Sequence, residues 1–167
     1  FHMVIGCSQV GVSRLPQFKY SFVGYDPLLH VRASGREVDI SPKAAREICS
    51  IIKNKRLSEA RRLLEDVTAL KEAIPFKRYK KKVAHRSTVT EFHAGRYPLK
   101  TASQVLEMLK NLEANANFKG FNTDRLIIIH ASALRGRKVR AYTPRAHGRS
   151  SPSFNTLVHV ELVAREV

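Results

Sequence analysis

The sequence has few of the features that mark a secreted protein or a membrane protein. It contains no tryptophan, and its two cysteines, Cys7 and Cys49, are too few for a disulfide framework. No apolar run approaches the roughly 20 residues that span a bilayer, and residues 1–11 lack the basic and apolar regions of a signal peptide. We therefore expect a cytoplasmic chain in a reducing compartment, with no membrane insertion.

The common catalytic and cofactor-binding motifs are missing as well. The sequence has no GxxxxGK[ST], GxGxxG, HExxH, CxxC or GxSxG pattern. His85 and His93 lie near each other, but two histidines without a cysteine partner more often face solvent or phosphate than a metal ion. Cys49 lies on the apolar face of a predicted helix, which is typical of a buried structural thiol. We expect no catalytic residues, no metal and no cofactor; a nuclease that gathers its dispersed acidic residues is the alternative.

Acidic residues are absent between Asp124 and Glu161, whereas the same stretch carries seven Lys and Arg residues. The whole chain shares this bias, with 30 Lys and Arg against 14 Asp and Glu and a net charge of +16. Such a charge indicates nucleic acid first and an anionic membrane second. Residues 136–152 have no apolar stripe, so the sequence predicts a cationic arm outside the body that becomes ordered against phosphate.

Hydrophobic periodicity predicts the elements of the body. A first helix begins at Ser41-Pro42, with Ser41 as its cap, and carries an apolar face that includes Ile48 and Ile52. Ser58 is predicted to cap a second helix, and a third covers residues 99–115. Residues 37–40, 126–133 and 156–163 are predicted strands, the last with one buried face and one face, carrying Glu161, that meets water or RNA.

These elements predict an α+β fold. Three helices pack on a small antiparallel sheet of about three strands, and a long extended β-hairpin arm leaves the sheet. Residues 71–98 are predicted to form an insertion between the second and third helices that is ordered only against something anionic. The insertion contains the basic run KRYKKK at residues 77–82.

A basic run is most often a solvated face or a nuclear import signal, so residues 77–82 alone do not indicate RNA. Tyr79 in this run and Tyr142 in the acid-free stretch favour RNA, because aromatic rings stack on unpaired bases while Arg and Lys bind phosphates. For Tyr142, the alternative is packing against the opposite strand of its own hairpin.

Five segments carry a resemblance to a known family. They are ISPKAAREI (residues 40–48), RLSEARRLLEDV (56–67), DRLIIIHASALRG (124–136), YTPRAHGRSSP (142–152) and HVELV (159–163). In this order and spacing the chain resembles the L-twenty-two family of large-subunit ribosomal proteins. The insertion, with RYP at residues 96–98, is similar to that of the archaeal and eukaryotic branch. The amino-acid sequence of the arm is similar to that of archaeal members. The resemblance covers residues 20–166, so we expect one domain over residues 20–167 and an unassigned tail at residues 1–19.

The resemblance implies a structural protein without catalysis. Its body would lie on the outer surface of the large subunit, and a hairpin at residues 134–155 would reach through rRNA to line the polypeptide exit tunnel near its constriction. The implied partners are large-subunit rRNA, neighbouring large-subunit ribosomal proteins and, transiently, the nascent polypeptide. The family also has a role in subunit assembly. Gly136, Gly148 and the serines near residue 150 would let RNA come close to the backbone.

Charge and resemblance together identify the candidate contact residues. The candidates for rRNA binding are Lys43, Lys77, Arg78, Tyr79, Lys80, Lys81, Lys82, Arg86, Arg96, Arg135, Arg137, Lys138, Arg140, Arg145, His147 and Arg149. The candidates for a tunnel-facing tip are Arg140, Ala141, Tyr142, Thr143, Pro144 and Arg145.

Overall fold

Three helices pack on one three-stranded antiparallel sheet, which confirms the predicted α+β fold with its long hairpin. The computed structural model describes residues 19–89 and 92–167, so most of the predicted tail, including Cys7, lies outside the described residues. The sheet has the order β1 (His30–Val38), β5 (Ser150–Glu166), β4 (Leu126–Pro144). The helices are α1 (Pro42–Ile52), α2 (Leu57–Thr68) and α3 (Leu99–Phe118). Two short strands, β2 (Ile74–Pro75) and β3 (Gly95–Arg96), form a second sheet, and a 3-10 turn (Thr123–Arg125) precedes β4.

The predicted apolar faces of the helices form the core. Ile48 and Ile52 of α1, Leu64 of α2 and Leu109 of α3 are buried together with alternate residues of β5. Cys49 lies in the same core, and its burial raises the pKa of the thiol to about 12. The thiol is therefore structural, as predicted, and remains protonated near neutral pH.

The helix ends differ in part from the prediction. Helix α1 begins at Pro42 as expected, but the Ser41 side chain makes no capping hydrogen bond. Ser58 is not the cap of α2, because the helix begins one residue earlier, at the buried Leu57. The preceding Arg56 is held extended by a bridge to Ile127 of β4. Helix α3 continues past residue 115 because Ala116 still packs in the core.

The strands are longer than predicted. Strand β1 covers His30–Val38 rather than residues 37–40. Its buried Val31 and Ala33 alternate with the exposed Arg32, as in a strand with one buried face. This pattern is not evident in the sequence because Ser34 and Gly35, which follow it, have low strand propensity. Strands β4 and β5 extend well beyond residues 133 and 156, because their backbones stay paired where apolar side chains have ended.

The outer face of β5 was predicted to meet water or RNA, but around Glu161 it is covered by protein. Glu161 is fully buried there, and Ser21 donates to its Oε2 from the backbone N at 2.9 Å and from Oγ at 2.5 Å. Ser132 of β4 also donates to Oε2, at 3.3 Å. Alternation along β5 correctly separated two faces, but a segment distant in sequence buries Glu161 on the outer one.

The predicted insertion is anchored at both ends by the protein itself. Strands β2 and β3 pair antiparallel, and Ile74, Phe76 and Ala94 around them are buried. The expectation that residues 71–98 are ordered only by an anion is therefore wrong for these ends. Residues 90 and 91 lie outside the described part of the chain. None of the helices described here is long and apolar enough to cross a membrane.

Candidate nucleic-acid interface

The arm is a paired hairpin with two unlike faces. From Lys138 opposite Thr156 to Pro144 opposite Ser150, β4 and β5 are in continuous antiparallel register. Residues that oppose each other share a face of the ladder. The first face carries Lys138, Arg140, Tyr142, Pro144, Ser150, Pro152, Phe154 and Thr156, and the second carries Val139, Ala141, Thr143, Ser151, Ser153 and Asn155. The large cationic and aromatic side chains thus lie on one face, and the other is built mainly from small residues.

The aromatic side chains of the first face form a small cluster. Tyr142 and Phe154 meet edge to face with their ring centroids 5.7 Å apart, and Lys138 Nζ lies 5.6 Å from the Phe154 centroid. Tyr142 does pack against the opposite strand, which was the alternative to base stacking. Its side chain nevertheless remains 61% exposed, so most of the ring can still meet a partner.

The tip of the arm is a tight turn over residues 146–149. Arg149 N donates to Ala146 O at 3.4 Å, and Arg145 N donates to Arg149 O at 2.8 Å. His147 and Gly148 have φ values of +59° and +65°, as the two central residues of a type I′ turn require. Of the six predicted tip residues, only Arg145 borders this turn, and Arg140 to Pro144 lead to it along β4.

At the root of the arm, Gly136 makes room for a side chain of the protein and not for RNA. A Cβ atom at Gly136 would lie 2.7 Å from Nε2 of His159. The Nδ1 atom of the same ring accepts a hydrogen bond from the backbone N of Glu37 at 3.0 Å. The bulge between Arg135 and Lys138 thus lets His159 connect the arm to β1.

Asp39 joins the root of the arm to the start of α3. Its carboxylate accepts hydrogen bonds from Lys100 Nζ and from Asn155 Nδ2, both at 2.6 Å. The Lys100 hydrogen bond, then that of Asn155, holds the pKa of Asp39 below its ordinary value. This exposed carboxylate is therefore charged at neutral pH and orients two side chains beside the cationic surface.

The basic run is held on α1 by Glu47, which sequence analysis did not identify. The Glu47 side chain is only 4% exposed, and its Oε1 accepts from the backbone N of Arg78 at 3.1 Å and of Tyr79 at 3.4 Å. The sequence feature that could have identified Glu47 is the position of this acidic residue on the apolar face of a helix, one residue before Ile48. Lys43 Nζ and Arg46 Cζ lie 5.7 and 6.0 Å from the ring centroid of the half-buried Tyr79.

The structure divides the candidate rRNA-binding residues into two groups. The arm group contains the cations from Arg135 to Arg149, all exposed. The body group contains Lys43 and the candidates of the insertion. Within the insertion, Lys77, Lys80 and Lys82 are exposed. Arg86 Cζ lies 5.5 Å from the ring centroid of Tyr97. Five of the body group surround one cavity, namely Lys43, Arg78, Tyr79, Lys81 and Arg96.

The structure gives no support to a metal site. The rings of His85 and His93 do meet, with centroids 5.1 Å apart. Across residues 19–89 and 92–167, however, no three His, Cys, Asp or Glu side chains come together to hold a metal ion.

Comparison with known proteins identifies the family. The profile of the family described as Ribosomal protein L22p/L17e matches residues 33–165. The chain is similar to proteins named large ribosomal subunit protein uL22 in three archaea: Archaeoglobus fulgidus (50% identity, 90% of this chain and 97% of the relative), Thermofilum pendens (48%, 92% and 99%) and Methanocaldococcus jannaschii (42%, 90% and 96%). The match covers the three helices, the whole arm and all of the three-stranded sheet except the first residues of β1 and the last residue of β5. The chain therefore belongs to the L22p/L17e family of ribosomal proteins.

Proposed function

We propose that this chain is a structural component of the large ribosomal subunit, without enzymatic activity, that binds large-subunit rRNA through its arm and its basic run. The arm is the observation that carries this proposal. Every residue from 137 to 150 is exposed, and the stretch between Asp124 and Glu161 contains no acid. A paired ladder with many cations, no acidic residue and no buried core matches a polyphosphate and not a protein core.

The separation of the two cationic groups supports a role in assembly. At roughly 3.3 Å per residue, β4 from residue 134 to its end at residue 144 reaches roughly 33 Å. A protein that binds RNA at its body and again at the end of such an arm connects RNA segments that are far apart. It would thereby stabilise their arrangement in the cytoplasmic ribosome, next to neighbouring large-subunit proteins.

We further propose that the end of the arm, in the hairpin of residues 134–155, lines the tunnel through which the nascent polypeptide leaves. The two unlike faces of the arm support this role. Arg140 and Tyr142 on the first face offer charge and an aromatic ring to RNA, whereas Ala141 and Thr143 on the second face leave a smooth surface. A narrow strand pair of this kind can separate RNA from a moving peptide.

Shortening the arm tests the function. Residues 141–153 are replaced by Asn-Gly, so that the paired Arg140 and Phe154 are joined by a two-residue turn. The variant should fold, because the removed residues lie outside the core, and it should enter large subunits in sedimentation experiments. Reversing the charge of Arg135, Arg137 and Arg149 should impair incorporation more, because acidic groups would then face phosphates.

Crosslinking tests the tunnel. A photoreactive residue is placed at position 141 or 142, on opposite faces of the arm, in ribosomes that carry a stalled nascent peptide. At least one position should crosslink to the peptide. If both crosslink only to RNA away from the tunnel, or if the shortened arm blocks incorporation more than the charge reversals do, the arm is an assembly clamp and not part of the tunnel.

A further inference from the structure

A cavity of about 660 Å³ lies where the start of α1, the basic run and the start of α3 meet. Its volume falls within the roughly 300–1,000 Å³ that small-molecule sites occupy. Lys43, Arg78, Lys81, Arg96 and Lys100 line it, and no acidic residue does so in the described part of the chain. Its size and charge suit a phosphorylated group.

The cavity also has an aromatic wall that a phosphate alone would not require. Phe76, Tyr79 and Tyr97 all line it. The guanidinium carbon of Arg96 lies 5.8 Å from the Phe76 ring centroid, and Arg96 donates to Lys82 O at 3.3 Å. Aromatic rings and guanidinium planes are the surfaces on which unpaired RNA bases stack. The cavity thus combines groups for a phosphate with groups for a base.

The first turns of two helices border the same cavity. Residues Lys43 and Ala44 of α1 and Lys100 and Thr101 of α3 line it. Neither helix has a side-chain cap or an acidic residue in its first turn. The positive ends of both helix dipoles therefore reinforce the cations that already surround the space.

The cavity walls are held in place without a ligand. Glu47 accepts hydrogen bonds from the backbone of Arg78 and Tyr79, which fixes the basic run against α1. On the opposite side, Asp39 holds Lys100 at 2.6 Å. A site whose walls are fixed by buried and paired groups loses less conformational entropy on binding.

We propose that this cavity binds one unpaired rRNA nucleotide, with its base against Tyr79 and Tyr97 and its phosphate on Lys43, Arg78 and Lys81. The proposal rests on the proposed rRNA-binding function and adds to it a defined site and a ligand class. The body would then recognise a nucleotide that is turned out of a loop or bulge, whereas the arm contacts mainly phosphates.

Three small probes separate the parts of the proposal. Adenosine 5′-monophosphate, ribose 5-phosphate and inorganic phosphate are titrated into the full-length protein, and the amide signals of residues 43, 44, 100 and 101 are followed by NMR. Stacking on an aromatic side chain should make adenosine monophosphate bind roughly 5- to 150-fold more tightly than ribose 5-phosphate. Tyr79→Leu and Tyr97→Leu should reduce this preference, whereas Lys81→Gln should weaken all three probes.

Tyr142→Leu, in the exposed arm, is the matched control and should leave the titrations unchanged. Equal affinity for adenosine monophosphate and ribose 5-phosphate, or shifts confined to the arm, would overturn the nucleotide site. Filter binding of large-subunit RNA by the same proteins reports on the proposed function separately. If the protein binds RNA but shows no base preference at the cavity, only the nucleotide site is rejected. If the unmodified protein does not bind large-subunit RNA, the proposed rRNA-binding function is rejected.

Discussion

Single residues determine how the cationic surfaces of this protein are oriented. Asp39 accepts from Lys100 at the rim of the cavity and from Asn155 at the root of the arm. Glu47 plays a corresponding part beneath the basic run. Both carboxylates lie beside a strongly cationic surface, and each orients donors instead of only lowering the net charge.

The titration of Asp39 tests this role. Because its pKa is lowered in the folded state, chiefly by the Lys100 hydrogen bond, its contribution to stability is present above the unfolded-state pKa and is lost as pH falls through the folded one. An NMR titration of the Asp39 carboxyl should therefore give a midpoint below that of an unfolded peptide. Lys100→Gln should raise the midpoint, whereas Lys110→Gln, exposed on the same helix, should not. Equal midpoints in both variants would contradict the assignment.

At the scale of elements, the arm depends on backbone pairing and turn geometry more than on side-chain packing. Its charge led us to expect order only against phosphate, but the structure shows β4 and β5 paired down to a type I′ turn. Backbone hydrogen bonds and the cluster of Tyr142 and Phe154 hold the ladder together. Sequence periodicity could not detect this, because the pairing needs no apolar stripe.

Substitution in the turn tests how the arm is ordered. Gly148→Val places a β-branched residue at φ +65°, where an L-residue costs roughly 1–2 kcal/mol. The Arg145 amide, which donates to Arg149 O, should then exchange roughly 5- to 30-fold faster, since that energy equals this factor in an opening equilibrium. His147→Gly should leave exchange unchanged or slow it, and the core amides of β5 near Val160 should stay protected in both variants. Equal exchange rates of the Arg145 amide in both variants would show that the turn does not control the order of the arm.

At the scale of the whole molecule, two cationic groups lie on one rigid frame. The hydrogen bonds that Lys100 and Asn155 donate to Asp39 connect the rim of the cavity to the root of the arm. The core is formed by all three helices and the sheet, so the cavity and the root of the arm cannot move independently without disturbing its packing.

The salt dependence of RNA binding tests this distribution. Each phosphate contact contributes about −0.9 for duplex or −0.7 for single-stranded RNA to the slope of log affinity against log salt. The full protein should show a steep slope with large-subunit RNA. Replacing residues 141–153 by Asn-Gly removes Arg145 and Arg149 and should make the slope shallower by roughly 1.4–1.8. A nearly flat slope for the full protein would contradict binding through phosphates.

The sequence by itself determined the features that depend on local pattern. The apolar period predicted the helices around Ile48, Leu64 and Leu109, because one face of a helix must be buried. The missing acids between Asp124 and Glu161 predicted the arm, because such a charge density cannot be buried. The five motifs identified the family that the comparisons then established.

Only the tertiary structure decided what covers each surface. Glu161 was expected on a face that meets water or RNA, but residues 20–22 fold over it. Glu47 is a buried anchor because the basic run returns to α1. The cavity exists because residues far apart in sequence, such as Lys43, Tyr79 and Tyr97, meet where two helices begin. Such contacts depend on the packing of distant segments, and the local period of a sequence carries no information about which segment will arrive at a given face.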